Sequence, residues 1–277
     1  MQRTDISIRG FTCDTDGTIN RRVRDIVKGW DLGVPPQRYE PYLKTGIELA
    51  AAGYGHTPVD VQVHIALYTL LGLCVDDFLV DMHALQEFST RLNSGLPQLH
   101  PVLEYVVDIL HRMSEFYLPY ACKAIVISTI EFINMTLFEK EIEDMEICGD
   151  ALRWVEYKRL RNGIGEAYAF FVWDKFSFPD ITTHIQANPD VLSFYKEELV
   201  GEARNFIHDR AVATDTSAST ALTDTVDEIV GAVKAARSIL KGRKEKETLE
   251  RWLVGFAAFH FQTARYRLKE LTGSEFI

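Results

Sequence analysis

The run Ile65-Ala66-Leu67-Tyr68-Thr69-Leu70-Leu71-Gly72-Leu73-Cys74-Val75 is apolar on every side of a helix and ends in Asp76-Asp77-Phe78-Leu79-Val80-Asp81. A helix with no polar face cannot lie on a protein surface, so it belongs in the middle of a bundle. Ile125 to Phe138 reads the same way. Two carboxylates at the end of such a helix are costly to bury. The helix macrodipole, negative at its C-terminus, repels them further. Hard oxygen donors placed there suit Mg²⁺, which prefers a few carboxylates plus phosphate oxygens. On a continuing helix Asp77 and Asp81 would share a face, with Asp76 offset. Acids are also ordinary where a helix end turns into solvent, and this pair by itself does not decide between the two.

The rest of the chain is consistent with an all-α fold. Helices are expected near 19–30, 37–52, 58–76, 81–95, 100–116, 118–139, 147–170, 189–211, 221–241 and 244–272. The breaks fall at Val34-Pro35-Pro36, Gly53-Tyr54-Gly55, Gly95-Leu96-Pro97 and Phe178-Pro179-Asp180. Thr57-Pro58 reads as a helix start, and Ser217 to Thr220 as a loop or lid edge. No repeat or linker divides the chain, so 1–277 is expected to be one domain, with 1–18 loosely packed. With 277 residues, 47% of them hydrophobic, the core needs no disulfides. Cys13, Cys74, Cys122 and Cys148 form no Cys-x-x-Cys pair and are expected as buried free thiols. No basic-apolar-small leader opens the chain and polar residues interrupt the apolar runs, so neither a secretory signal nor a membrane span is expected. The expected location is the cytoplasm. A net charge of −10 argues against nucleic acid; an anionic ligand would need local cations or metal to hold it.

Later segments supply such groups. In Asn188-Pro189-Asp190-Val191-Leu192-Ser193-Phe194-Tyr195-Lys196-Glu197, Ser193 and Glu197 sit at i and i+4, with Lys196 adjacent. A hydroxyl, a carboxylate and an ammonium make a cradle for magnesium and diphosphate; alone they equally describe a capped amphipathic helix. Arg159-Leu160-Arg161-Asn162-Gly163-Ile164-Gly165 places cations before glycines that invite a kink and a freed carbonyl. A freed carbonyl can stabilise a developing cation. Arg265-Tyr266 pairs a phosphate-matching fork with a phenol. The plainer readings are surface charge and packing glycines.

Together these phrases resemble the class I terpene synthases, most closely the fungal trichodiene synthase-like family, from the helix before Asp76 to Tyr266. The resemblance implies a single-domain helical bundle around a central apolar cavity. It implies that Asp76 binds Mg²⁺ and that Ser193 and Glu197 are the last two ligands of an Asn-Ser-Glu motif. Lys196, Arg159, Arg265 and Tyr266 would contact diphosphate, and Asn162 and Gly163 would be the linker and carbonyl-bearing effector. Cavity residues on the Asp76 face would be Leu73, Gly72 and Thr69. Three Mg²⁺, farnesyl diphosphate or a related isoprenoid diphosphate, and a homodimer are implied as well. Three departures stand out. Asp81 comes one residue later than the family's third acid and is not assigned a metal. Pro189 occupies the place of the metal-binding asparagine, which leaves Asn188 as the substitute. The stretch from Arg159 to Ser193 is short. The implied activity is a sesquiterpene synthase. The alternatives are a prenyltransferase, which would need a second Asp-rich motif in place of Ser193 and Glu197, and a catalytically impaired or regulatory helical protein.

Overall fold

Three helices begin with proline in their first turn, where its fixed φ and missing N–H cost nothing: α2 (Pro36–Gly53), α5 (Pro101–His111) and α6 (Pro119–Glu141). The computed structural model describes residues 4–13, 17–162, 164–179, 198–199 and 205–270. The remaining α-helices among these are α1 (Thr18–Val27), α3 (Val59–Asp76), α4 (Met82–Ser94), α7 (Leu152–Asn162), α8 (Gly165–Phe171), α9 (Phe206–Ala213), α10 (Ala218–Ile239) and α11 (Arg243–Gln262). Short 3-10 turns follow at Arg112–Glu115 and Leu268–Glu270, and no strand occurs among the described residues.

Helix α3 is the axis of the bundle. Every residue from Val61 to Leu71 is buried, and α1, α2, α5 and α6 pack around it. Helix α2 lies closest because Gly46 lacks a side chain: a Cβ there would stand 2.5 Å from the Ala66 carbonyl oxygen. On its other side α2 meets α11, where a Cβ on Gly255 would overlap the Ala52 carbonyl. One large apolar cluster fills the bundle, and a small satellite of Ile207, Ala211 and Ala221 joins α9 to α10.

Several expectations are corrected. The helix expected over 147–170 is two: α7 runs to Asn162 and α8 begins at Gly165, with Ile164 before it in the left-handed region. The one expected to 272 stops at Gln262. Ser217 opens no loop: its Oγ accepts the Thr220 N–H at 3.1 Å and caps α10. Thr57 does not cap α3; its hydroxyl donates to the Tyr54 carbonyl. Where described, the N-terminal stretch is pinned. Ile8 is buried, the Thr4 carbonyl accepts from Arg237 at 2.7 Å, and the Phe11 carbonyl accepts from Gln262 at 3.3 Å. Helix α6 is not interior all round, since Tyr120, Ile127 and Phe138 are exposed. By length and composition α3 and α6 are apolar enough to cross a bilayer; 72% of α3 is buried inside the bundle instead. All four cysteines are free thiols, but only Cys74 is fully buried and Cys148 is exposed.

The glycine contacts give a direct test. Gly46→Ala and Gly255→Ala should each lower unfolding stability by about 1–3 kcal/mol, the usual cost of forcing atoms into a packed interface. Gly72→Ala, which has nothing within 4 Å of a new Cβ, should cost little or stabilise. Urea denaturation midpoints of the three variants check the ranking.

Candidate active site

Helix α3 ends by a left-handed closure. Phe78 sits at φ 53°, its N–H donates to the Val75 carbonyl at 3.1 Å, and the Leu79 N–H reaches back to Cys74 at 2.9 Å. That closure usually takes glycine; an L-residue there costs roughly 1–2 kcal/mol. It leaves Asp76 as the last helical residue, with Asp76 and Asp77 both exposed. The burial cost expected for this pair therefore does not arise. Nor do Asp77 and Asp81 share a helix face, because α3 ends between them. Asp81 instead caps α4, accepting the Ala84 N–H at 2.9 Å.

The chain beyond α11 returns to this end of α3. The Arg265 guanidinium comes within 4.0 Å of the Asp77 carboxylate. Asp77 also accepts a hydrogen bond from Tyr42, whose phenol burial, and then Asp77, push up to about 12. The Tyr266 ring lies tilted against His260, centroids 4.3 Å apart, and edge-on to Phe259 at 5.5 Å. From α8, the Tyr168 hydroxyl donates to Thr69 Oγ1 at 3.0 Å. Its phenol is raised by burial, with the Thr69 hydrogen bond opposing and Tyr266 and Asp76 adding to the rise. Asp76, Asp77, Thr69, Tyr168, Arg265 and Tyr266 thus gather around one end of α3.

Beside them lies an apolar hollow of about 280 Å³, its open mouth included. Its walls are Tyr68, Leu71, Gly72 and Val75 of α3, Val106 and Ile109 of α5, Thr129, Phe132 and Ile133 of α6, and Ile164. Of the three cavity residues expected from sequence, Gly72 lines it, Thr69 bonds Tyr168, and Leu73 is half-buried and not among the lining residues. The wall hydroxyls have partners within the protein. Tyr68 pairs with Thr129 at 2.8 Å, Thr129 donates to the Ile125 carbonyl at 2.7 Å, and Thr69 to that of Ile65 at 2.9 Å. Tyr68, Phe171 and Tyr168 form a mutual edge-to-face cluster with centroids 5.0–6.0 Å apart.

Arg159 and Asn162 lie half-buried on the last turns of α7. The chain breaks there, and Ile164 starts α8 at φ 48°, an outlier conformation for a β-branched residue. The Asn162 amide donates to Glu139 of α6 at 2.7 Å. Gly163, Asn188, Ser193, Lys196 and Glu197 lie outside the described residues, as does Pro189. Among the described residues no three His, Cys, Asp or Glu side chains gather to hold a metal. Sequence reasoning missed Tyr168, Tyr42 and Glu139. Tyr168 stands 99 residues from Thr69, and no local pattern announces the pairing.

An all-helical bundle with an acid-rimmed apolar hollow is the architecture of a terpene synthase. The linalool/nerolidol synthase of Streptomyces clavuligerus shares the fold, with a TM-score of 0.61 at 14% identity over 87% of this chain and 94% of that one. The trichodiene synthase (TRI5) family profile matches residues 24–275. Monoterpene synthase 25 of Postia placenta is 34% identical over 96% of this chain and 83% of its own length. The (E)-beta farnesene synthase of Metarhizium brunneum is 27% identical over 96% and 86%. The chain belongs to the trichodiene synthase (TRI5) family and is a terpene cyclase.

Two imidazoles give a pH signature. Burial pushes both His260, beneath Tyr266, and His64 down to about 4, with Arg112 adding to the shift of His64. Each stays neutral in the fold yet takes a proton near pH 6.5 once unfolded. Stability is therefore complete above about pH 6.5 and drains as pH falls toward 4. Between pH 7 and 5 each histidine should cost roughly 2 kcal/mol. In urea unfolding at the two pH values, His260→Gln should remove about that much of the drop.

Proposed function

We propose that this cyclase is a sesquiterpene synthase that ionises farnesyl diphosphate with Mg²⁺ and closes the carbocation to a cyclic hydrocarbon or alcohol. The reading is carried by the juxtaposition at the end of α3 of a charged rim, with Asp76, Asp77, Arg265 and Tyr266, and a hollow whose walls are carbon. Asp76, Asn188, Ser193 and Glu197 are the oxygen donors that would hold the metal, and that donor set suits a hard cation. Bound magnesium would supply Lewis-acid pull on the diphosphate oxygens.

The protein's own part follows from its side chains. The allylic C–O bond breaks and its electron pair leaves with diphosphate, toward Arg159, Lys196 and Arg265, with the Tyr266 phenol donating to the same oxygens. Arg265 faces Asp77, a contact that keeps it at the rim. The cation left behind needs neighbours that stabilise charge without adding to it. Tyr68 and Phe132 of the wall offer π-systems. The hydroxyls of Tyr68 and Thr69 are already committed to Thr129 and the Ile65 carbonyl. Water kept out of the hollow cannot quench the cation.

A second reading has a specific observation behind it: geranyl diphosphate as the preferred substrate. The Postia placenta relative, 34% identical over 96% of this chain, is named a monoterpene synthase. Incubation with each diphosphate and Mg²⁺, read by headspace gas chromatography, decides. Cyclic C15 volatiles from farnesyl diphosphate are expected. Volatiles from geranyl diphosphate alone would favour the second reading. A longer diphosphate formed only with isopentenyl diphosphate, or no product at all, would overturn both. Gly72→Leu fills the one gap in the α3 wall and should shift kcat/KM toward the shorter substrate by roughly tenfold or more.

A further inference from the structure

Helix α7 carries Arg159 and Asn162 but has little apolar anchorage, since only Val155 and Lys158 are buried on it. Polar contacts set its position instead. Lys158 Nζ, in a side chain 11% exposed, donates to Asp209 of α9 at 2.6 Å, whose side chain is 5% exposed. The same ammonium lies 3.8 Å from Glu139 near the end of α6. Glu139 Oε1 accepts the Asn162 amide at 2.7 Å, and Arg161 pairs with Glu131 one helical stretch earlier. Three carboxylates from α6 and α9 therefore register one helix that hydrophobic burial alone would leave loose.

Glu139 has a particular effect within this set. A carboxylate accepts only, so it compels Asn162 to present its NH₂ and to turn its Oδ1 the other way. That Oδ1 is buried and has no donor among the described residues. The charge environment of Glu139 fits the same role. Burial raises its carboxyl, while Lys158, the Asn162 amide and Arg159 hold it down. Asn162 ends α7, and Ile164, immediately before α8, lines the hollow. The carboxylate thus sits where the orientation of one amide fixes how the chain enters the cavity wall.

We propose that Glu139 is a positioning residue for the reaction: its carboxylate orients Asn162 and, with the Lys158–Asp209 pair, holds the Arg159–Asn162 turn of α7 in register with the hollow. This rests on the reading that the turn faces the diphosphate. The effect is on how the turn meets the diphosphate, so kcat falls by more than KM rises, pyrophosphate affinity falls with it, and folding is little changed.

The test is a double-mutant cycle on the full chain: wild type, Glu139→Ala, Asn162→Ala, the double variant, and Glu139→Gln. Each is measured for kcat and KM with farnesyl and geranyl diphosphate and Mg²⁺, for thermal midpoint, and for calorimetric affinity toward inorganic pyrophosphate with Mg²⁺. Glu139→Ala and Asn162→Ala should each lower kcat about tenfold, and the double variant should lose no more than either single one. Glu139→Gln, which still offers an acceptor oxygen, should keep at least half the wild-type kcat. Wild-type kcat in Glu139→Ala, losses that multiply in the double variant, or Glu139→Gln as slow as Glu139→Ala would each overturn the proposal. If Glu139→Ala fails to fold, Glu139→Gln against Glu139→Leu gives the same contrast. If the wild type turns over neither diphosphate, the functional reading fails. Pyrophosphate affinity then decides the inference: a matching non-additive loss supports it, and equal affinities overturn it.

Discussion

A helix buried on every side can carry charge only at its ends, and α3 obeys that constraint. Thirteen of its residues are buried, so it dictates what surrounds it, and its polarity is discharged at one terminus. The left-handed closure at Phe78 stops the helix directly after Asp76. It thereby delivers two carboxylates to the rim rather than one to the rim and one to the interior. The helix macrodipole disfavours anions there, so the site is short of positive charge, and the returning segment at Arg265 answers that shortage. The same helix supplies the hollow's inner wall. The acidic part of the rim and the inner wall are thus consecutive turns of one element.

Around this axis two kinds of forces divide the work. Helices α2, α3 and α11 are fixed by close backbone approach, with Gly46 and Gly255 removing the side chains that would hold them apart. Helix α7 is fixed by charge. Its ion pairs are partly desolvated, and removing one partner of such a pair leaves a buried charge uncompensated. Packing of this kind specifies a position more sharply than it adds stability. That suits the orienting role proposed for this segment. The rigid wall and the charge-registered rim therefore fail in different ways: the first by unfolding, the second by misalignment.

The sequence showed the parts of this arrangement that are local. An apolar run, prolines at helix starts and an acid pair are legible because each needs only its neighbours, and the positions of α1 to α6 followed from them within a few residues, whereas most of the helix expected over 189–211 lies outside the described residues. The exceptions are physical too. Helix α6 reads as apolar all round from Ile125 to Phe138, yet Ile127 is exposed and Phe138 is only partly covered, by the edge-to-face ring of Trp154; pattern reports hydrophobicity, not what stands opposite. The desolvation argument for Asp76 and Asp77 mistook a helix end for a buried one, because where a chain turns depends on the closure at Phe78, a residue type rare in that conformation. Tyr168 and Thr69 meet across 99 residues, and Glu139 meets Asn162 across 23. Such contacts are decided by how helices cross.

Backbone strain marks where local rules yield to the site. Six non-glycine residues among those described adopt positive φ. Three are aspartates, which tolerate the left-handed region. The others are Phe78, Ile164 and Arg267, none of a type that favours it. Each adjoins one of the motifs read from the sequence: Phe78 follows Asp76-Asp77, Ile164 follows Asn162-Gly163, and Arg267 follows Arg265-Tyr266. At Phe78 and Arg267 the turn comes directly after a side chain of the rim, and at Ile164 it comes between α7 and α8. A glycine would make the turn at less cost, but at Ile164 it would also remove a side chain from the wall. Conformational cost of order 1–3 kcal/mol at such a position persists only where the surroundings over-determine it. At Ile164 the two demands coincide: one residue must both turn the chain out of α7 and present carbon to the cavity, and a β-branched side chain in a left-handed turn is the compromise between them.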